Sequence, residues 1–113
     1  MAPRRIILEM GAGNDLHGGD YTRAALRAVQ DALHHSSLSF IRALGLDAGK
    51  MQVAVTIGVQ QPGRVDAIRV RQSLPHGEVT VAVVKGGLDV PDEDGRDSAV
   101  IASAAVVVSF DLP

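Results

Sequence analysis

The chain is 113 residues long, 46% apolar and 21% charged, with a net charge of −2 and neither cysteine nor tryptophan. One domain fits that length and two do not, while the missing cysteines exclude disulfides, thiolate catalysis and zinc sites built on thiolates. Its 11 basic and 13 acidic residues leave no basic stripe for a nucleic-acid backbone, and three aromatics cannot form a platform for stacked bases.

Residues 5–10, Arg-Ile-Ile-Leu-Glu-Met, form a short β-rich run halted by Gly11 and Gly13, which predicts a strand feeding a loop. The run follows the basic start Met1-Ala2-Pro3-Arg4-Arg5 but is broken by Glu9 and is too short for a secretory signal. No other run approaches a membrane span, and together with the absence of cysteine this sets a cytoplasmic expectation. The loop is Gly11-Ala12-Gly13-Asn14-Asp15-Leu16-His17-Gly18-Gly19. From Asp20, a credible N-cap, the pattern turns helical. Thr22, Ala25, Leu26, Val29 and Leu33 fall on one stripe, and Arg23, Arg27, Gln30, Asp31 and His34 on the other. Ser36 and Ser37 interrupt this helix, after which Leu38, Phe40, Ile41 and Leu44 continue for a turn or two up to Gly45.

Met51, Val53, Val55, Ile57 and Val59 alternate with Gln52, Ala54, Thr56 and Gly58, the pattern of a strand with one core face. Gln60-Gln61-Pro62-Gly63 is a turn. Val65, Ile68 and Leu74, with Asp66, Arg69 and Arg71 opposite, predict a short helix closed by Pro75. A strand follows over residues 78–85, with Val79, Val81 and Val83 on one face, stopped by Gly86-Gly87. Residues 89–98 read as an acidic surface loop. The last segment, Val100 to Phe110, is apolar on nearly both faces and predicts a central strand or one buried at a subunit contact.

The order β-α-β-α-β-β predicts a single α+β domain, one sheet covered by two helices on a single face. Its second face carries Ala, Thr, Ser and Val in place of charge, so something must cover it. With 15 Val and 15 Ala supplying most of the apolar residues, the core is thin in buried area, and another copy of the same sheet is the expected cover. The partner expected is therefore another copy of the chain, a homo-oligomer, with no nucleic acid and no membrane.

The strongest local feature is Gly11-x-Gly13-x-Asp15-x-His17-Gly18 between a strand and a helix start. Glycines there allow close approach to a ligand, and amides near a helix N-terminus favour negative charge, which marks Gly11, Gly13, Asn14 and Gly18 as candidate ligand-binding residues. Asp15 and His17, two apart, would share a face of an extended stretch and serve as a base with its orienting carboxylate, or as two metal ligands. The plainer alternative is a tight loop with Asp15 in an Asx-turn and His17 packed over the helix. The third Gly of a dinucleotide fingerprint is replaced by Leu16 and no Gly-Lys-Ser/Thr follows, so no nucleotide cofactor is expected.

This motif, with Ile57-Gly58-Val59, Val65-Asp66, Pro75-x-Gly77 and Gly86-Gly87-Leu88, resembles a small family of single-domain bacterial proteins of unknown function across nearly the whole chain. The order of elements is also similar to the trimeric chorismate-mutase-like and YjgF-like folds and to single units of the ring-opening amidohydrolases, cyanuric acid hydrolase and barbiturase. That likeness implies a trimer or a multiple of it, with a small-molecule ligand bound in clefts between three sheet-forming units.

Lys85 ends the Val79-Val81-Val83 face beside Gly86 and Gly87, which join the ligand-binding candidates. Desolvated there, it would act as a base or activate Ser103, a pairing that ring-opening amidohydrolases also use; the plainer alternative is a Lys leaving the strand end for water. Glu9 either reaches the motif loop or is an edge-strand charge. His34 and His35 suit a helix end, His76 a surface turn, Arg69 and Arg71 a solvated face, and Asp92-Glu93-Asp94 with Asp97 a solvated loop whose spacing lacks a calcium pattern, so no metal is expected. Two functions follow. One is a hydrolase, cyclase or isomerase of a small polar metabolite, with Asp15, His17, Glu9 and Lys85 as catalytic residues. The other is a non-catalytic binding or assembly module of the same fold.

Overall fold

The structure, a computed structural model, describes residues 3–34, 45–74 and 76–111. Its elements are β1 (Pro3–Asp15), α1 (Tyr21–His34), β2 (Gln52–Val59), α2 (Ala67–Gln72), β3 (Glu78–Lys85), β4 (Leu88–Pro91) and β5 (Ser98–Asp111). They form a mixed α+β fold with one five-stranded sheet and two helices. The predicted interruption at Ser36 and Ser37, the turns after it and the stop at Pro75 lie outside the described residues.

The sheet order is β1-β5-β2-β3, with β4 pairing β5 beyond the end of β2. β5 is antiparallel to β1, β2 and β4, and β2 is parallel to β3, so β1, β2 and β3 all run one way and end at one pole. The central place expected for residues 100–110 is observed, since β5 is hydrogen-bonded on both sides. One face is buried: Val53, Val55, Ile57 and Val59 of β2 lie beside Ala102, Ala104, Val106, Val108 and Phe110 of β5. Helix α1 lies across β1 and β5, α2 packs on β3, and the two helices touch.

Three expectations are corrected here. The glycine-rich segment is not a loop up to residue 19, because β1 continues through Gly11 and Gly13 to Asp15. Gly13 is where the backbone of α1 comes closest, and a Cβ there would sit 2.2 Å from the amide nitrogen of Ala28. Opposite stand Ala24, Ala28 and Ala32, four apart and fully buried, a flat ridge that allows this approach. The buried stripe of α1 is accordingly Tyr21, Thr22, Ala24, Ala25, Ala28, Val29 and Ala32, rotated from the predicted one. The acidic loop, in turn, begins with a strand, because Leu88–Pro91 pairs with Ser98–Ile101.

Helix α1 also closes part of the free edge of β1. Asp31 Oδ2 accepts the Ala12 N–H at 2.9 Å, and the Arg27 guanidinium donates to the Asn14 carbonyl at 2.7 Å. Those are backbone groups that an added strand would otherwise use.

Candidate functional site

The sheet face away from the helices carries a concentration of exposed apolar side chains. Leu8 and Met10 of β1, Val84 of β3, and Leu88 and Val90 of β4 project from it by register, Met10 being 69% exposed. Between them lie Ala12, Ala54, Thr56, Gly58, Ala82, Ser103, Ala105 and Val107. The charged residues that share this face by register, Arg5, Glu78 and Asp111, stand at the far end of the sheet.

A cavity of about 560 Å³ opens on this face, lined by Met10, Thr56, Val84, Lys85, Ser103 and Ala105, with backbone from Gly11, Gly58, Gly86 and Gly87. Its floor is close-fitted. Gly87 adopts φ +60°, and a Cβ on it would meet the Ile101 carbonyl oxygen at 2.1 Å. Gly86 donates its N–H to the Val59 carbonyl at 2.9 Å, while the Gln60 amide donates to the carbonyls of both Gly86 and Gly87 at 3.1 Å. Four sequence candidates, Gly11, Lys85, Gly86 and Gly87, thus meet here with Ser103. Lys85 is exposed in the single chain, not desolvated as expected for a base.

The motif residues go to a different place, the pole where β1 ends. Asp15 is 3% exposed, and its Oδ2 accepts the Asp20 N–H at 2.9 Å. Its Oδ1 faces the guanidinium groups of Arg23 and Arg27 at 3.6 and 3.8 Å. Asp20 caps α1 as expected, accepting the Arg23 N–H at 3.0 Å. His17 does not share a face with Asp15. Its side chain is 90% exposed, and Nδ1 lies 3.4 Å from Asp97 Oδ2. Asp97 also accepts the Gly18 and Ser98 N–H groups at 3.1 and 2.8 Å, and these bonds hold its carboxyl below the usual range, with His17 adding to the effect. Asn14 is exposed, and Gly13 faces α1.

The remaining candidates lie apart. Glu9 is half-buried on the helix-covered face opposite Val106, six residues or about 20 Å along the strand from Asp15, so it does not reach the motif turn. His76 is exposed at the opposite pole, and Arg69 and Arg71 are exposed on α2. His34 is exposed, and His35 lies outside the described residues. Asp92 and Asp94 serve their own turn, accepting the Asp97 and Arg96 N–H groups. No group of three or more potential ligands that could hold a metal ion occurs among the described residues.

One cluster escaped the sequence reading. The Tyr21 hydroxyl donates to Asp89 Oδ2, and Arg64 stacks over the ring 4.9 Å from its centre. Burial, then the bond and charge of Asp89, push the phenol above its ordinary value of 10.0, although Arg64 and Gln61 pull the other way. The available signal was Tyr21 itself, the lone tyrosine, placed at the first turn of a predicted helix. Thr22 beside it accepts the Asp66 N–H at 2.9 Å, tying α1 to α2.

The molecule is therefore a small α+β protein with a glycine-fitted helix on one sheet face and an apolar cavity on the other. The chain belongs to a family described as conserved hypothetical proteins (Lin0512_fam), which it matches over residues 5–108. Among solved structures it is similar to an FtsZ-like protein of unknown function from Nostoc punctiforme, with 35% identity and a TM-score of 0.86 over 99% of each chain. No curated protein matches it. No helix among the described residues is long and apolar enough to cross a membrane.

Proposed function

We propose that this protein is a homo-oligomeric small-molecule-binding protein of the cytoplasm whose ligand cleft forms where a second copy covers the bare sheet face. The observation that carries this reading is the coincidence of the 560 Å³ cavity with the exposed apolar set Leu8, Met10, Val84, Leu88 and Val90. The five strands, at a rise of ~3.4 Å per residue and a spacing of ~4.8 Å, give a face of roughly 770 Å². A standard specific interface needs about 800 Å² from each partner. The likeness in element order to chorismate-mutase-like and YjgF-like trimers, with sites between subunits, agrees with this arrangement.

The reading favours a binding module over acid-base catalysis at residues 11–19. Asp15 is 3% exposed and already engaged by the Asp20 N–H and two arginines, so little of its carboxylate is open to a substrate. Sedimentation of the wild-type chain is expected to give a multiple of 11.8 kDa, and the double variant Met10→Glu, Val84→Glu a folded monomer with unchanged circular dichroism. A wild-type chain that sediments as a monomer up to its solubility limit would remove the reading.

A further inference from the structure

Resting on the subunit-cleft reading above, we propose that the second copy meets the bare face about a twofold axis running along the strands between β5 and β2, with Arg5 of each chain against Glu78 of the other. The outer strands of this face are β1 and β3. By register Arg5 shares a row with Glu78, Leu8 with Thr80, Met10 with Ala82, and Ala12 with Val84. Such an axis keeps the strand direction and lays β1 over β3 of the second copy, the aligned packing common to paired sheets. Each residue then faces its row-mate from the other chain. Positive meets negative in the Arg5 row, where Ser109 also faces Gln52, and in the other three rows a large side chain meets a small one.

The face also carries a socket for this arrangement. A hollow of about 160 Å³ is lined by Gln52, Ala54, Glu78, Thr80, Val107 and Ser109. It lies where the axis brings Leu8 of the second copy, which is 50% exposed in the single chain. A space of about 150 Å³ takes a benzene-sized group, so one leucine side chain fits. The 560 Å³ cavity has Thr56, Ser103 and Ala105 on β2 and β5, next to the axis, so it opens onto its own copy and both chains line one chamber. The other way of stacking the two faces, about an axis across the strands, lays β1 on β1. It turns the Arg5 and Glu78 row over the end that carries Leu88 and Val90, which removes water from both charges without supplying a counter-charge.

The test is charge reversal followed by sedimentation equilibrium, with circular dichroism recorded for each protein. The wild type is expected at an even multiple of 11.8 kDa. Arg5→Glu and Glu78→Arg, both at exposed positions, each set like charges together at both contacts and should weaken association roughly tenfold or more. In an equimolar mixture of the two variants every contact joins opposite charges again, so association should return to wild-type strength. The chain carrying both substitutions should likewise associate as the wild type does. Single variants as tight as the wild type, a mixture no stronger than its components, dissociation of the doubly substituted chain, or a trimeric wild type overturns the twofold arrangement and leaves the cleft in place. A wild type that stays monomeric overturns the cleft and the arrangement together.

Discussion

Replacing Gly13 by Ala tests whether the glycines of the motif serve a ligand or the packing of α1. The added methyl would lie 2.2 Å from the Ala28 nitrogen and 2.5 Å from the Ala24 carbonyl oxygen, where a comfortable contact needs about 3.5 Å. Both obstacles are helix backbone and cannot swing aside, so α1 must lift by about 1 Å along a ridge of buried alanines. Overpacking of this kind costs about 1–3 kcal/mol, and the rigidity of both partners places Gly13→Ala near 3 kcal/mol. For a chain of this size that lowers Tm by roughly 12–18 °C. Gly63→Ala is the control, because its Cβ meets nothing within 4 Å, and its stability should stay within about 0.5 kcal/mol of the wild type. Urea unfolding followed by far-ultraviolet circular dichroism measures both variants. A Gly13→Ala protein as stable as the wild type would refute the close-packing account and return the glycines to a ligand-binding role.

Tyr21 is the lone tyrosine, so the rise of tyrosinate absorbance with pH reports this one group. Because burial and Asp89 raise its folded value above 10.0, its contribution to stability is whole below pH 10 and fades as pH climbs through the raised value; a midpoint at or below 10 would contradict the buried pair. Asp15→Ala, which removes the acceptor for the Asp20 N–H, should cost about 2 kcal/mol in urea unfolding, and Asp15→Asn, which retains an acceptor, about half as much. Unchanged stability in Asp15→Ala would mean that the carboxylate is kept for something other than structure.

Where side chains alternate cleanly, the fold was legible in the residues. β2 runs as its Val and Ile positions require, and β5 is central because nothing in Val100 to Phe110 marks a solvent face. β1 was read too short because glycine is a poor strand former in isolation. Gly11 and Gly13 stay extended because their neighbours in β5, Ala104 and Ala102, pair with them while α1 closes over both. The spacing Ala24, Ala28, Ala32 opposite two glycines was the missed signal, and leucines at 26 and 33 outweighed it in a reading by hydrophobicity alone. β4 was hidden in the same manner: Leu88 and Val90 alternate as a strand should, but the acids that follow dominated the segment. The site divided for a related reason. A two-residue offset places Asp15 and His17 on one face only while the chain stays extended, and β1 ends at Asp15, so His17 turns outward to Asp97.

The pattern of protection on the sheet decides how two copies can meet. A long edge strand such as β1 is an open template for pairing, and edge-to-edge growth would join copies into a continuous sheet. Here α1 spends two side chains on that edge, Asp31 on the Ala12 N–H and Arg27 on the Asn14 carbonyl, so the C-terminal half of β1 offers fewer groups to a new strand. Among the described residues no comparable cover lies over Leu8, Met10, Val84, Leu88 and Val90 on the face, and these side chains gain stability only when water leaves them. Edge pairing is thus opposed by hydrogen bonds already made, whereas face packing is favoured by apolar area not yet buried. The two routes separate in one measurement: Asp31→Ala and Arg27→Ala should leave the native mass unchanged, while charge at position 10 or 84 should reduce it.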